Sequence, residues 1–328
     1  MKILIKNALA VVEPSDTKDL FQVKNNSILI DGNIITKIGY NLEDEADEVI
    51  DATGKIVYPG LVNTHHHLMQ AFARNIPKAQ KLELFDWLYI VFDVLSKVDP
   101  DFLYHTMLVS GGELMRYGCT TLFDHQYSYP NGQSLELIDA QFDGAKELGI
   151  RYICGRGGIT RGVNNGGSAP ECIVETTEQF ISNTQKIIEK YKDDNKFAMK
   201  GVAVAPCSPF TVTEDAMVES AKLARTYGVR LHTHLCETLD EERFCQEYYG
   251  MRPLAWAKKT GVIGSDTWYA HGIHFNDEEL DLLAETKTGI AHCPISNMKL
   301  SSGICRVPEM LERGITVGLA VDGSASND

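Results

Sequence analysis

The order of hydrophobic and polar positions along the chain changes near residue 60. Before this point, short runs rich in β-branched residues alternate with turn signals, as in "ILIKNALAVV" and "SILIDGNIITKIG". The Asp31-Gly32 pair in the second run is typical of a tight turn between two antiparallel strands. The pattern therefore predicts a small antiparallel β-sheet domain over residues 1–58.

After Pro59-Gly60, apolar runs of strand length recur between longer stretches that have helical spacing. The stretch "EDAMVESAKLARTYG", for example, has apolar residues at helical intervals and ends in glycine. Near-continuous apolar runs are typical of parallel strands that are buried on both faces. Eight runs occur in sequence: "GLVNTH", "CTTLFDH", "RYICGR", "KGVAVAP", "VRLHTH", "TWYAH", "TGIAHCP" and "ITVGLAVD". They predict an α/β fold of the (β/α)₈ TIM-barrel type over residues 59–328.

Polar residues follow the predicted strands at the point where each strand ends. Seven of the eight runs end in or directly meet a histidine, aspartate or arginine: His65, Asp124, Arg156, His234, His271, His292 and Asp322. The carboxyl ends of barrel strands are where such barrels carry their active sites. This order favours a barrel over a doubly wound sheet. The doubly wound alternative would also require a glycine-rich phosphate loop, which the sequence lacks, so a nucleotide cofactor is not indicated.

Composition excludes several classes of protein. The net charge of -14 argues against a nucleic-acid partner, because nucleic-acid binding requires a basic surface. No run approaches the ~18 apolar residues of a membrane span, and the N-terminal apolar stretch is too short for a signal peptide. The eight cysteines contain no CxxC pair and indicate reduced thiols in a cytoplasmic protein.

The "NTHHH" motif at the first strand end offers two histidines to one ion. Alternate residues of a strand point to the same side, so His65 and His67 can face one metal while His66 points away. An isolated pair of this kind is at least as often structural. The pair becomes informative because a further histidine, His234, ends the fifth strand. His232 lies one residue pair deeper on the same face of that strand and is interpreted as a hydrogen-bonded core residue.

Three further polar residues complete the candidate site. Glu237 follows His234 by three positions, and by itself it would be interpreted as a solvated carboxylate in the first turn of a helix. His271 ends the sixth strand and Asp322 ends the eighth. The recurrence of such residues at successive strand ends predicts a metal site with a carboxylate beside it.

The donor set indicates which metal is expected. Imidazoles with one carboxylate suit Zn²⁺, with Fe²⁺ as the second choice. A ligand set that leaves one position open for water is typical of a catalytic site. A carboxylate that does not bind the metal can carry a proton to the substrate.

Taken together, the motifs resemble those of the amidohydrolase superfamily, and within it the mononuclear zinc aminohydrolases that act on heteroaromatic rings. The matching segments are "PGLVNTHHHLMQAFAR", "GCTTLFDH", "APCSPF", "HTHLCET", "AHGIHF", "AHCPISNMKLSSG" and "VGLAVDGSASND". The resemblance implies a metal-dependent hydrolase barrel with a small flanking sheet domain.

Carried over position by position, the resemblance implies a role for each matching residue. Glu237 matches the proton-shuttling glutamate, and His271 matches the histidine that, with Asp322, orients and activates the water. No lysine ends the fourth strand, so one metal ion per chain is implied rather than two. The implied metal ligands are His65, His67, His234 and Asp322.

Four residues are candidates for substrate binding. Gln70 and Arg156 lie where donors can hold ring carbonyls and nitrogens, although Gln70 can also be helix surface and Arg156 a structural ion pair. Cys207 replaces a histidine that many nucleoside-deaminating relatives have in this motif, or it is a small buried thiol. Tyr127 either lines a ring slot or packs its loop, as does Tyr129.

Within the superfamily, the 8-oxoguanine deaminases resemble this chain in "NTHHH", "FDHQYSYPNG", "APCSPF" and "DGSASND". This resemblance implies conversion of 8-oxoguanine to urate and ammonia. Guanine, isoxanthopterin and hydroxytriazine aminohydrolases share much of the same pattern and are the alternatives. A non-catalytic scaffold of the same fold is the alternative from another class, and the filled ligand positions argue against it.

Family members continue beyond the position that corresponds to Asp328, through an eighth helix and further strands of the small domain. The resemblance therefore implies that the C-terminal part of the small domain is absent from these 328 residues. It also makes a homo-oligomer possible, since relatives often form oligomers.

Overall fold

The computed structural model describes residues 1–14, 21–130 and 135–327 of the chain. Asn131 and Gly132 of the "FDHQYSYPNG" motif and the final Asp328 lie outside the described residues. The chain forms two compact units, Met1–Leu61 and Val62–Asp328. Each unit is described separately below.

The first unit consists of two small sheets. Its strands are β1 Lys2–Lys6, β2 Ala10–Pro14, β3 Phe21–Asn25, β4 Ser27–Asp31, β5 Ile34–Gly39, β6 Glu48–Asp51 and β7 Ile56–Val57. One sheet has the order β5-β4-β1-β6 and the other β3-β2-β7. The pairs β1–β4, β4–β5 and β2–β3 are antiparallel, as the sequence predicts. The expectation of an antiparallel unit is wrong for the pairs β1–β6 and β2–β7, which are parallel. Each joins strands that are distant in sequence, so no tight hairpin turn requires them to run antiparallel.

The turn predicted at Asp31-Gly32 is present. Asp31 ends β4, and the chain turns through Gly32 into β5, which runs antiparallel to β4. Gly32 has a φ of +61°, in the left-handed region that glycine enters without the steric cost of a side chain. Glycine thus predicts this hairpin because the turn requires a residue with a positive φ.

The second unit contains the eight predicted parallel strands. They are β8 Leu61–Asn63, β9 Cys119–Gln126, β10 Arg151–Gly158, β11 Lys200–Pro206, β12 Arg230–Leu235, β13 Thr267–His271, β14 Gly289–His292 and β15 Val317–Leu319. Neighbours in sequence are neighbours in the sheet, from β8 to β15. The edges meet where the Thr64 amide donates to the Leu319 carbonyl at 3.1 Å, so the strands form the predicted barrel.

Helices follow the barrel strands. The α-helices are α1 Leu84–Leu95, α2 Pro100–Thr106, α3 Gly112–Arg116, α4 Leu135–Leu148, α5 Thr177–Tyr191, α6 Glu214–Tyr227, α7 Leu239–Tyr249, α8 Pro253–Lys259, α9 Asp277–Thr286, α10 Pro294–Lys299, α11 Val307–Glu312 and α12 Ser324–Asn327. A π-helical turn, Met107–Gly111, joins α2 to α3, and short 3₁₀ helices include Leu68–Ala73. Within the described ranges, none of these helices has the length and apolarity needed to cross a membrane.

The barrel interior is filled below its carboxyl end. In β11, the consecutive residues Val202, Ala203, Val204 and Ala205 are all buried, as expected for a parallel strand covered on both faces. Ala203 and Ala205 pack with Phe123 inside the barrel, and Trp268 contacts the same cluster. Because this layer closes the interior, the polar strand ends above it form the floor of a pocket.

Candidate metal centre and active site

Four side chains predicted to bind a metal converge at the carboxyl end of the barrel. The Nε2 atoms of His67 and His234 are 3.0 Å apart. Asp322 Oδ1 lies 3.4 Å from Nε2 of His65 and 3.3 Å from Nε2 of His67. The Asp322 amide also donates to the His65 carbonyl at 3.2 Å, so barrel closure itself brings the first and last strand ends together.

Backbone carbonyls fix the tautomers of two of these histidines. Nδ1 of His67 lies 2.8 Å from the His125 carbonyl, and Nδ1 of His234 lies 2.7 Å from the Cys207 carbonyl. A carbonyl oxygen can only accept, so each Nδ1 must carry the proton. In the neutral rings, both Nε2 atoms therefore present lone pairs to the shared space.

His65 is oriented in the same way through a second histidine. Nδ1 of His232 donates to the Trp268 carbonyl at 2.9 Å, which makes Nε2 of His232 an acceptor. His65 Nδ1 donates to that Nε2 at 2.8 Å, leaving its own Nε2 as a lone pair. His232 is thus the buried, hydrogen-bonded residue that the sequence indicates, and it orients His65, a predicted metal ligand.

The charge state of the cluster fits a cation. Burial lowers the pKa of His65 and of His67 to about 3 and holds the pKa of His234 well below its usual range. The rings are therefore neutral at pH 7. Two imidazole lone pairs that face each other at 3.0 Å repel unless a cation lies between them. The residues present therefore fit a divalent metal ion.

Asp322 divides its two carboxylate oxygens between two tasks. Oδ2 accepts hydrogen bonds from the hydroxyls of Ser296 at 2.5 Å and Ser326 at 3.0 Å. Oδ1 receives no hydrogen bond from the described residues and faces the histidine Nε2 atoms. Although burial opposes ionisation, the nearby imidazoles of His65, His67 and His271 hold the pKa of Asp322 well below its usual range. An ionised, oriented oxygen thus completes the donor set.

Glu237 and His271 form a second pair beside this cluster. Oε2 of Glu237 lies 3.6 Å from Nε2 of His271, and both side chains are buried. Burial raises the pKa of Glu237 to about 7, partly opposed by His271. Burial alone would lower the pKa of His271, but the carboxylates of Glu237 and Asp322 outweigh it and raise that pKa. Asn297 Oδ1 lies 2.9 Å from Nδ1 of His271 and fixes the ring.

The backbone is held in a left-handed conformation at three positions of the site. Cys236, His271 and Asp322 have φ values of +55°, +70° and +61°. Such values are uncommon for residues with a side chain and persist where surrounding contacts enforce them. Each bend redirects the chain at or just after the end of a barrel strand, so the enforced backbone conformation helps to set where the predicted catalytic side chains point.

The pocket above the cluster has a polar floor and apolar walls. Glu237, His271, Asp322, His67 and His234 contribute to the floor. The walls are formed by Leu84, Trp87, Leu88, Phe92, Phe210 and Leu300. Flat apolar walls over a few directed polar groups suit an uncharged ring with polar edges.

Three of the four predicted substrate-binding residues line this pocket: Gln70, Tyr127 and Cys207. The Tyr127 ring meets His67 edge-on with centroids 5.0 Å apart, whereas Tyr129 is buried outside the lining. Burial raises the pKa of Cys207 to about 12, so its thiol remains protonated. The position of these residues is consistent with a role in binding, which stays a prediction.

Gln70 sits against Gly323, the residue after Asp322. The Gln70 side chain is buried, and its Oε1 receives no hydrogen bond from any described residue. A Cβ atom added to Gly323 would lie 1.9 Å from that Oε1, so only glycine leaves room for the amide. The amide is therefore held beside Asp322 with an acceptor available for a ligand.

The fourth predicted residue, Arg156, is placed outside the pocket lining. Its guanidinium donates to Glu175 through Nη1 and Nη2, both at 2.8 Å, and Nη1 also donates to the Gly157 carbonyl. The Tyr129 ring lies 3.9 Å from the guanidinium carbon. The structure thus shows the alternative considered for Arg156, a buried ion pair, and we do not assign it to the substrate.

Other polar strand ends also lie outside the pocket lining. His66, which lies between His65 and His67 in the sequence, is buried, and His292 is half-buried at the end of β14. Asp124 accepts hydrogen bonds from the Leu68 amide and from Gln141, both at 2.8 Å, and so anchors the segment after the histidine motif. A polar residue at the carboxyl end of a barrel strand can therefore belong to the candidate site or, like Asp124, hold a neighbouring segment in place.

Sequence reasoning missed the residues that reach the pocket from outside the strand ends. Trp87 and Leu88 come from α1, and their helical spacing is that of ordinary core positions. Ser208 and Thr211 follow the Cys207 motif and are buried in the lining. Of these residues, only Ser208 and Thr211 could have been predicted from the sequence, because polar residues directly after a barrel strand lie at the end that carries the active site.

Comparison with known proteins agrees with this fold and site. The model of the amidohydrolase family matches residues 56–328. The chain belongs to the amidohydrolase family and is an enzyme that hydrolyses C–N bonds.

Particular relatives lie within this family. The chain is 40% identical over 326 residues to 8-oxoguanine deaminase of Pseudomonas aeruginosa, covering 99% of this chain and 72% of the relative. It is 41% identical over 288 residues to hydroxydechloroatrazine ethylaminohydrolase of Pseudomonas sp. strain ADP, covering 87% of this chain and 60% of the relative. The structure of atrazine chlorohydrolase of Arthrobacter aurescens TC1 in complex with zinc superposes with a TM-score of 0.94 at 30% identity, covering 99% of this chain and 73% of that one.

Proposed function

We propose that the chain catalyses the zinc-dependent hydrolytic deamination of 8-oxoguanine to urate and ammonia, as a cytoplasmic enzyme. The observation that carries this proposal is the convergence of three imidazole lone pairs and one carboxylate oxygen below a pocket that also holds Glu237 and His271. The 40% identity to an 8-oxoguanine deaminase supports the choice of ring.

The residues that would hold one zinc ion are His65, His67, His234 and Asp322. Three neutral nitrogens and one carboxylate are a donor set that zinc favours, and ferrous iron is the alternative. When bound, such an ion lowers the pKa of a water molecule towards neutrality and so makes hydroxide available at physiological pH. The overall reaction exchanges an exocyclic amine of the ring for the oxygen of one water molecule.

The chain's own side chains would move the protons. Asp322 and His271 orient the attacking water and accept a proton from it. Glu237 donates a proton to the ring nitrogen beside the carbon under attack. The proton taken from the water then passes to the exocyclic amine, which leaves as ammonia, and the remaining hydroxyl proton returns to Glu237 as the carbonyl forms. A carboxyl with a pKa of about 7 is suited to this task, because it gains and loses a proton readily at neutral pH.

The pocket lining would orient the ring. The walls formed by Trp87, Leu88 and Phe210 contact its faces, while Gln70 and Tyr127 present polar atoms to its edge. Gln70 Oε1 can accept from a ring N–H and the amide nitrogen can donate to a ring carbonyl. An oxidised purine carries both kinds of group on its edges, which matches this arrangement.

The experiment that tests the proposal measures urate and ammonia from 8-oxoguanine with zinc-loaded protein, and metal content on the same sample. We expect equimolar urate and ammonia, with about one zinc per chain, as a four-donor site requires. Guanine, isoxanthopterin and hydroxytriazines with an alkylamino group are assayed in parallel. Urate formation with the largest kcat/KM of the panel would support the proposal.

A hydroxytriazine aminohydrolase is the second candidate, because a relative of that activity is 41% identical over 288 residues. Bound zinc with amine release from a hydroxytriazine, but no urate, would replace the first proposal with this one. A protein that binds zinc and hydrolyses nothing in the panel would exclude these four ring systems and move the search to other aminated heterocycles.

A further inference from the structure

Glu241 is a buried carboxylate that neither lines the pocket nor belongs to the ligand cluster. It lies in the first turn of α7, four residues after Glu237. Its Oε1 accepts from the Cys236 amide and its Oε2 accepts from the Glu237 amide, both at 2.9 Å. Both carboxylate oxygens are therefore committed to the backbone that carries Glu237.

Ordinary helix capping does not account for these contacts. In α5 and α9, the third residue of the helix returns its side chain to the backbone amide of the capping residue, as in a capping box. In α7, Thr238 caps the Glu241 amide, but the Glu241 carboxylate passes the capping residue and reaches the two residues before it. The side chain holds the loop rather than the helix end.

The loop that Glu241 holds is strained. Cys236 has a φ of +55°, which is costly for a residue with a side chain. Its carbonyl accepts from the amides of Ile273 and His274 at 2.8 and 3.0 Å, so the bend is fixed from the β13 side as well. Glu241 supplies the opposing contact to the Cys236 amide, and the bend sends the next side chain, Glu237, towards His271.

We propose that Glu241 is a positioning residue that sets the orientation of Glu237 by holding the Cys236–Glu237 backbone in its bend. This inference rests on the proposed function, because it assumes that Glu237 moves a proton. The expected consequence is selective: loss of Glu241 slows the proton-transfer step and leaves metal and substrate binding unchanged.

The first experiment compares Glu241→Gln with Glu247→Gln, an exposed glutamate of the same helix. A glutamine cannot accept from both amides, because its nitrogen would face an N–H. We expect kcat for Glu241→Gln to fall about 10- to 100-fold, since a displacement of ~1 Å can cost 10²-fold. KM and zinc content should match the wild type, and Glu247→Gln should be unchanged in all three. A normal kcat in folded Glu241→Gln would overturn the inference.

A control for general destabilisation is Thr238→Ala, which removes the cap of α7 without touching the two carboxylate contacts. It should lower the melting temperature but keep kcat. An equal loss of kcat in Thr238→Ala would show that only helix stability matters. If Glu241→Gln does not yield folded protein, Glu241→Asp, which is too short to reach both amides, is measured with the same expectations.

A double-mutant cycle separates this inference from the proposed function. If Glu241 acts through Glu237, adding Glu241→Gln to Glu237→Gln lowers kcat no further. Independent, multiplicative losses would overturn the positioning role and leave the shuttle role intact. Full turnover in Glu237→Gln alone would overturn the shuttle role and, with it, this inference.

Discussion

Two buried polar clusters lie near the carboxyl end of the barrel, and they differ in how completely their groups are paired. In the Arg156–Glu175 pair, both carboxylate oxygens accept from the guanidinium, and an aromatic ring covers it. In the histidine cluster, His65 Nε2 and Asp322 Oδ1 are buried without a hydrogen bond from any described residue. Both clusters follow barrel strands, so strand-end position does not distinguish them.

This difference in hydrogen bonding helps to distinguish a ligand-binding site from a structural ion pair. A buried polar group without a partner costs free energy, and several of them facing one point persist only where a ligand completes them. In the Arg156–Glu175 pair, each carboxylate oxygen already accepts from the guanidinium, and both residues lie outside the pocket lining. Pairing together with position relative to the pocket therefore favours the histidine cluster as the candidate site and the Arg156–Glu175 pair as part of the fold.

The largest expected effect is on the ligand cluster. His234→Ala removes one of the imidazole donors, so we expect zinc content well below one equivalent and turnover reduced to background. His292→Asn is the matched control, since His292 also ends a barrel strand but lies outside the pocket lining. Elemental analysis of purified, zinc-dialysed samples measures the difference. A full equivalent of zinc in His234→Ala would contradict the ligand assignment.

The second prediction separates proton transfer from metal binding within the same pocket. Glu237→Gln keeps the size of the side chain but cannot carry a proton. We expect turnover to fall by about 10²- to 10⁴-fold, the usual contribution of a general acid–base group. Zinc content should equal that of the wild type. Unchanged turnover would show that another group carries the proton.

The third prediction concerns the Arg156–Glu175 pair. Glu175→Gln leaves the Arg156 charge buried with an incomplete partner, so we expect a loss of about 3–5 kcal/mol in the free energy of unfolding. Lys222→Gln breaks an exposed pair with Glu219 and should cost less than about 1 kcal/mol. Denaturant unfolding measures both values. Substrate KM and zinc content should not change in the folded protein. A rise in KM without a change in zinc content would show that Arg156 contributes to substrate binding.

The smallest expected effect is on substrate orientation. Gln70→Ala removes an amide whose oxygen is available to the ring, and we expect kcat/KM to fall about 10-fold, at the upper end of the ~0.5–1.5 kcal/mol of one hydrogen bond. Gly323→Ala should give a similar loss by displacing the same amide, because the added Cβ would overlap it. Zinc content serves as the control in both variants. Wild-type kcat/KM in both would mean that Gln70 does not touch the substrate.

Much of the architecture follows from local sequence signals. The eight apolar runs correspond to the eight barrel strands, and the Asp31-Gly32 turn lies where it is predicted. The convergence of His65, His67, His234 and Asp322 could be predicted because alternation along a strand and the position of its end are local properties. The parallel pairs of the first unit were not predictable, because they join strands that are distant in sequence.

The barrel, the strand ends that bear histidines and carboxylates, and the chemical character of the donor set follow from local sequence patterns. Which lone pairs face one another, that both Glu175 oxygens accept from Arg156, and that Trp87 lines the pocket are visible only in the folded chain. These features depend on contacts between residues far apart in the chain, such as the hydrogen bond from the Asp322 amide to the His65 carbonyl. Local patterns can supply the groups, but packing alone sets their distances and leaves some of them without partners.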